Sequence, residues 1–163
     1  MVTVRSARPD DQATLRALWA DLDGLHAALA AGFFQAGRGV GGEGPAELRE
    51  GALRGLRPAG DAALLIAEDD GRPLGALYAT LQDTPRQEAL RPRRRLHVET
   101  VVVEVAERRR GVGRLLMAAA ERWGRGRGAE QVVLTVWQGN GAAADFYRSL
   151  GYAAVNQVLA REL

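Results

Sequence analysis

A buried strand, a glycine-rich turn and an amphipathic helix follow one another in the middle of this 163-residue chain. Residues 96–105 (LHVETVVVEV) are rich in β-branched side chains, which is typical of a central strand buried on both faces. Apolar residues recur at helical spacing after the turn, and the helix is predicted to end near residues 124–126. Residues 131–137 (QVVLTVW) predict the next strand. This strand–helix–strand crossover restricts the chain to folds with a partly parallel sheet.

The flanking segments predict the rest of one α/β domain, residues 1–163. Strands are predicted at 2–5, 62–68, 73–81 and 152–163, and helices after Pro9, at 45–56 and at 140–150. Residues 82–95 read as a loop, and Asp69-Asp70-Gly71 as the turn of a hairpin. The element order is therefore β-α-α-β-β-β-α-β-α-β. It predicts a mixed, mostly antiparallel central sheet of six to seven strands with helices on both faces.

The composition excludes several kinds of site. The chain has no cysteine, so it has neither disulfides nor thiolate metal ligands, and no covalent cysteine intermediate can form. With only two histidines, no histidine-rich metal site is expected; a carboxylate-only site stays open, but no calcium-loop pattern is present, so no metal ligand is assigned. All 22 basic residues are arginine, and the net charge is only +2. The pI near 9.6 reflects arginines that do not titrate, so no nucleic-acid partner is expected. Neither a membrane span nor a signal peptide is expected, which favours a cytoplasmic location.

The glycine-rich turn, RRRGVGR at residues 108–114, has features of an anion-binding site. The first turn of a helix leaves N–H groups unpaired, and glycines let a phosphate approach the backbone. GxxxxGK[ST] is excluded because lysine is absent, and GxGxxG fails because Leu116 stands where a glycine is needed. The spacing that fits is R-x-x-G-x-G, formed by Arg108, Gly111 and Gly113. The alternative is a solvated basic turn.

This spacing resembles the acyl-CoA pyrophosphate motif, Q/R-x-x-G-x-G/A, of the GNAT superfamily of N-acetyltransferases. A second segment is similar to that superfamily's signature N-x-x-A-x-x-F-Y-x-x-x-G-F/Y. Its matching residues are Asn140, Ala143, Phe146, Tyr147, Gly151 and Tyr152. The two motifs occur in the expected order and cover about residues 96–152.

The resemblance implies that acetyl-CoA binds in a V-shaped opening where two central strands, 96–105 and 131–137, splay apart. Backbone N–H groups of the turn would hold the pyrophosphate, and main-chain groups of Val101 and Val103 would pair with the pantetheine arm. Asn140 would bond the pantetheine amides, with a plain helix N-cap as its other role. The implied cofactor-binding residues are Val101, Val103, Arg108, Arg109, Arg110, Gly111, Val112, Gly113, Arg114, Asn140, Ala143 and Tyr147.

The resemblance also suggests catalytic residues. Tyr147 is the expected acid that protonates the leaving CoA thiolate, its alternative being an aromatic core residue. Glu99 or His97 is expected to be the base; on a regular strand both point to one face. The acceptor pocket could be lined by His26, Phe33, Phe34, Tyr78 and Trp137, with residues 36–44 as a lid.

The expected activity is direct acetyl transfer from acetyl-CoA to a primary amine in a ternary complex. The acceptor is expected to be a small molecule. Transfer to a protein N-terminus or lysine is the runner-up, and a non-catalytic acyl-CoA-binding regulator is a further alternative. Dimers are common in the superfamily, so a homodimer stays open.

Overall fold

The computed structural model describes residues 1–29, 60–84 and 92–161. The strands are β1 (Thr3–Ser6), β2 (Ala62–Asp69), β3 (Arg72–Asp83), β4 (Arg94–Val103) and β5 (Gln131–Leu134). The helices are α1 (Gln12–Leu29), α2 (Val112–Arg125) and α3 (Gly141–Ser149), with short 3-10 turns at Pro9–Asp11 and Val105–Glu107. The five described strands form one mixed sheet in the order β1-β2-β3-β4-β5.

The sheet is antiparallel except at its last pair. β1, β2, β3 and β4 pair antiparallel in turn, and the hairpin between β2 and β3 closes through Asp70 and Gly71, both at positive φ. β5 runs parallel to β4, as expected for strands joined by a helical crossover. The mixed, mostly antiparallel sheet of the sequence prediction is therefore present.

Each face of the sheet carries a separate apolar core. On one face Leu15, Leu18 and Trp19 of α1 pack on side chains of β2 and β3. On the other face α2 packs with its fully buried side chains, which are Val112, Leu116, Met117 and Ala120. Burying one such leucine contributes roughly 2 kcal/mol, so these two contacts hold both helices firmly on the sheet.

A β-bulge at Glu99 changes the register of β4. Tyr78 pairs with Thr100 and Ala79 with Val98, which leaves Glu99 as the extra residue. Before the bulge Leu96 and Val98 belong to the α2-side core, whereas after it Val102 belongs to the α1-side core. The regular alternation assumed from the sequence therefore holds only up to Glu99.

The bulge coincides with the point where β4 and β5 part. Their parallel pairing runs from Arg95↔Gln131 to Val98↔Leu134 and stops there, while β4 continues to Val103. A bulge bends its strand and raises the local twist, which explains why the neighbours diverge at this point. The result is an opening beside the second half of β4.

Several sequence predictions are wrong in the described residues. Residues 152–161 form no strand, although the sequence predicts a final strand at 152–163. A segment of strand-like composition forms a strand only where a neighbouring strand can pair with it. The strand at 131–137 stops at Leu134, and the one at 96–105 stops at Val103. The loop predicted at 82–95 is shorter, because β3 and β4 extend into it.

The sheet has five strands among the described residues, whereas the sequence predicts six to seven. The helix predicted at 45–56, the proposed lid at 36–44, and Phe33 and Phe34 all lie outside the described residues.

Candidate active site

On the side of β4 away from β3, no strand among the described residues pairs with β4 beyond Val98. Glu104 donates its N–H to the Leu74 carbonyl of β3 at 2.9 Å. Main-chain groups alternate sides along a strand, so those of Val103 and Val101 point away from β3, into the opening. The Val103 carbonyl there accepts a hydrogen bond from Arg108 Nε at 3.1 Å. The main-chain groups of Val101 and Val103, which are predicted to bind pantetheine, therefore point to the side of β4 away from β3.

The turn before α2 leaves its N–H groups uncapped. Gly111 is the N-cap at φ 85° and carries no side-chain cap, and the first helical hydrogen bond runs from Leu115 N to Gly111 O at 3.1 Å. The N–H groups of residues 112–114 consequently have no acceptor within the helix. Together with the helix dipole they form a site for an anion.

The arginines of this turn have different environments. Arg110 donates to Glu107 Oε2 at 2.9 Å, and Arg72 of β3 donates to Oε1 of the same carboxylate. Glu107 is buried, and the hydrogen bond from Arg72, reinforced by the charge of Arg110, lowers its pKa. Arg109 and Arg114 are exposed and form no ion pair with any described residue. Those two cations are free to meet an anion at the helix start.

The second motif packs α3 on α2. A Cβ added at Gly113 would lie 3.1 Å from Phe146 Cζ, so the glycine lets the Phe146 ring approach the helix. Asn140 is the N-cap of α3, its side chain accepting a hydrogen bond from Ala143 N at 3.1 Å. The N-cap role that the sequence left open for Asn140 is therefore present in the structure.

Tyr147 is held in an aromatic group. Its ring centroid lies 5.0 Å from that of Phe146 and 5.8 Å from that of Tyr152. Burial raises the pKa of Tyr147 to about 12. The Tyr152 hydroxyl instead donates to Glu121 Oε1 at 2.8 Å. Tyr147 is thus a neutral hydroxyl on the α2 side of the sheet, available as a proton donor.

A polar cluster lies on the opposite, α1 side of the sheet. His97 Nδ1 is 2.7 Å from Glu99 Oε1, and Thr80 Oγ1 donates to the same oxygen at 3.0 Å. Gln82 Nε2 donates to Thr80 Oγ1 at 3.1 Å and reaches Glu99 Oε1 at 3.4 Å. The structure therefore brings the two candidate bases into direct contact. Tyr78 is buried beside them, and burial, together with the Glu99 charge, raises its pKa.

Thr80 and Gln82 were not predicted from the sequence as site residues. They alternate with apolar residues along β3, and Thr80 pairs directly with His97 across the strands. The polar positions of that alternation were the available signal, but the register that joins them to β4 is a tertiary property.

The comparisons with known proteins agree with this geometry. The model of the acetyltransferase (GNAT) family matches residues 28–152. The chain belongs to the GNAT acetyltransferase family. Of the curated proteins, the aminoglycoside N(6')-acetyltransferase type 1 of Klebsiella aerogenes is 34% identical over 102 residues, which are 63% of this chain and 64% of that protein. The match thus covers less than two thirds of the relative's length.

Solved structures share the GNAT fold over nearly the whole chain. A mutant of the BH1408 protein from Bacillus halodurans superposes with a TM-score of 0.85 at 20% identity, covering 99% of each chain. The enzyme AAC(6')-Iy, in complex with the bisubstrate analog CoA-S-monomethyl-acetylneamine, superposes with a TM-score of 0.71 at 20% identity, covering 100% of this chain and 98% of its own.

Two further features are absent from the described part of this GNAT domain. No group of three or more His, Asp or Glu side chains there could hold a metal ion. No helix within residues 1–29, 60–84 and 92–161 has the length and apolarity that a membrane span requires.

Proposed function

We propose that this GNAT protein is an acetyl-CoA-dependent N-acetyltransferase that acts on a primary amine of a small molecule. The observation that carries the proposal is the opening beside β4. One end of it meets an uncapped helix start, and the Glu99 carboxylate, whose side chain is 8% exposed, lies on the α1 side of the same strand. The curated aminoglycoside acetyltransferase relative supports an amino sugar as the first acceptor to test.

The residues present fit acetyl-CoA. The N–H groups of residues 112–114 suit its pyrophosphate, and Arg109 and Arg114 add positive charge beside them. Val101 and Val103 offer main-chain groups to the pantetheine amides, with Arg108 already on one of the carbonyls. Acetyl-CoA would supply the activated acetyl thioester that the amine attacks.

The residues around the opening would each assist a different part of the acetyl transfer. The Val101 N–H would donate to the thioester oxygen as negative charge develops there, an effect worth a few kcal/mol. Tyr147 would protonate the departing thiolate from the α2 side. Glu99 would attract the ammonium group of the acceptor from the α1 side. Because the chain has no cysteine, no acetyl-cysteine intermediate can form. We expect the amine to attack the thioester directly in a ternary complex.

Release of free thiol from acetyl-CoA across a panel of amines tests the proposal. The panel should contain aminoglycosides, polyamines, amino acids and lysine-containing peptides. We expect turnover with at least one small amine and none with peptides. Turnover with peptides alone would assign the protein to N-terminal or lysine acetylation, and CoA binding without thiol release on any amine would assign it to regulation.

A pair of matched variants tests the pyrophosphate site separately. Arg114→Glu places a negative charge on the first turn of α2, and Arg122→Glu makes the same change on its exposed last turn. We expect calorimetry to show CoA affinity about tenfold or more weaker for Arg114→Glu and unchanged for Arg122→Glu. Equal affinities in both variants would contradict the proposed site.

A further inference from the structure

We propose that His97 and Glu99 act as one unit in which His97 Nε2 takes the proton from the acceptor amine. In this dyad Glu99 holds the imidazole in the required tautomer and stabilises its protonated form. The inference rests on the proposed function, since it assigns the base of that reaction. It replaces two competing candidates by one hydrogen-bonded pair.

The hydrogen bond between the two side chains sets the tautomer. An ionised carboxylate can only accept hydrogen bonds, so the 2.7 Å contact requires a proton on His97 Nδ1. In the neutral ring the lone pair then belongs to Nε2, which becomes the proton acceptor. A buried carboxylate on the other ring nitrogen stabilises the imidazolium that forms, which is the same division of roles as in a Ser-His-Asp triad.

The exposure of the pair supports the same assignment. The Glu99 side chain is 8% exposed, whereas that of His97 is 29% exposed. The imidazole is therefore the member of the pair that both an entering amine and bulk solvent can reach. A proton taken up by His97 can leave to water, whereas one on Glu99 would be held under the ring.

Thr80 and Gln82 act as positioning residues for the carboxylate. Thr80 Oγ1, Gln82 Nε2 and His97 Nδ1 all direct donors at Glu99 Oε1. Three donors directed at one oxygen fix the orientation of the carboxylate. The bulge places the carboxylate for these contacts, because Glu99 is the residue without a partner on β3.

The proton balance of the step is complete. An acceptor ammonium, R–NH₃⁺, gives one proton to His97 Nε2 and becomes the nucleophile. Its nitrogen forms the bond to the acetyl carbon as the carbon–sulfur bond breaks, and the electron pair of that bond leaves with sulfur. As the amide forms, the nitrogen loses its second proton to water. The thiolate takes a proton from the Tyr147 hydroxyl, and the resulting phenolate regains one from water. The imidazolium returns its proton to water, so the net products are amide, thiol and one free proton.

Three variants separate the roles of the dyad. In His97→Asn the amide Nδ2 stands where Nδ1 stood, so the hydrogen bond to Glu99 is preserved while the base is lost. In His97→Ala both are lost and a space for added imidazole is created. The double variant His97→Ala/Glu99→Gln removes the negative charge that would hold and stabilise protonated imidazole in that space. The assay is thiol release with the best amine of the panel, and CoA affinity by calorimetry serves as the folding control.

We expect His97→Asn and His97→Ala each to lower kcat by about 100-fold, a typical contribution of a general base. Added imidazole should restore at least about a tenth of the wild-type kcat to His97→Ala, and none to the double variant. Glu99→Gln combined with His97→Ala should lose little more than His97→Ala alone, because the two residues act as a unit.

Wild-type kcat in His97→Asn would overturn the dyad and assign His97 a hydrogen-bonding role. Full additivity of the two substitutions, or imidazole rescue that survives Glu99→Gln, would also overturn it. These results differ from a failure of the proposed function, in which the unmodified protein transfers acetyl to no amine at all.

Discussion

Replacing Tyr147 by phenylalanine removes one hydroxyl from the α2 side of the opening and leaves the ring in place. Burial raises the pKa of this phenol to about 12, two units above its ordinary value. Each unit corresponds to 1.36 kcal/mol, so forming the phenolate in this position costs roughly 3 kcal/mol more than in water. The hydroxyl consequently stays protonated through the neutral range and can donate to a thiolate that forms beside it.

The expected loss follows from that donated hydrogen bond. A hydrogen bond to a charged group contributes about 1.5–3 kcal/mol, which corresponds to a kcat lower by about 10- to 150-fold in Tyr147→Phe. CoA affinity should change little, because the ring contacts with Phe146 and Tyr152 are kept. Thermal stability should be retained or slightly higher, since a buried hydroxyl is removed.

Thiol release at saturating acetyl-CoA and amine measures the effect, with Tyr152→Phe as the matched control. That variant also removes one phenol hydroxyl, but one that is bonded to Glu121 at 2.8 Å. We expect it to keep wild-type kcat. The acid assignment fails if Tyr147→Phe turns over at the wild-type rate, or if both variants lose the same factor.

Three other predictions concern the scaffold. Gly75→Ala should lower the free energy of unfolding by about 1–3 kcal/mol, because its Cβ would lie 2.6 Å from a main-chain oxygen of β4. The control Gly24→Ala, whose Cβ would have no atom within 4 Å, should be neutral or stabilising. Equal denaturant midpoints for the two variants would refute the predicted clash at Gly75. Asp11→Asn should destabilise by about 2 kcal/mol at pH 7, since Arg5 donates to both oxygens of Asp11 at 2.7 and 2.9 Å. Those hydrogen bonds lower the pKa of Asp11 in the folded protein, so their contribution to the free energy of unfolding is present above the ordinary carboxyl pKa near 4 and is lost as the pH falls through the lower folded value. The difference in Tm between wild type and Asp11→Asn should therefore shrink on acidification. A difference in Tm that does not change with pH would contradict this prediction. Glu107→Gln should raise the CoA Kd by loosening the turn that Glu107 holds from β3, and calorimetry giving an unchanged Kd would show that the turn is rigid without it.

The local signals in the sequence determined a large part of this protein. The R-x-x-G-x-G turn and the start of α2 were predictable, because a glycine at φ 85° and the absence of a capping side chain are properties of a few consecutive residues. The core strands and the presence of α1 and α2 followed from periodicity for the same reason. The spacing did not give the buried face of α2, where Leu115 is exposed while Val112, Met117 and Ala120 are buried. The spacing of the two motifs also sufficed to place the chain in its family.

Contacts between distant residues were decided only by the tertiary structure. The bulge at Glu99 depends on the register with β3, and it changes which side chains face the α1 side of the sheet. Period-2 alternation cannot predict such an inserted residue. The same register places Thr80 and Gln82, 19 and 17 residues away, on the Glu99 carboxylate. It thereby joins two candidate bases into one hydrogen-bonded pair.

The end of the chain illustrates the same limit. Residues 152–161 have the composition of a strand, but they form none, because a strand exists only where a neighbouring backbone pairs with it.

At Gly113 the structure adds a reason for the residue that was predicted. Its glycine character was predicted from the anion site, yet the structure gives it a second reason, the Phe146 ring 3.1 Å away from its missing Cβ. Sequence determined the local conformations, and the packing of distant segments decided which residues meet in the active site.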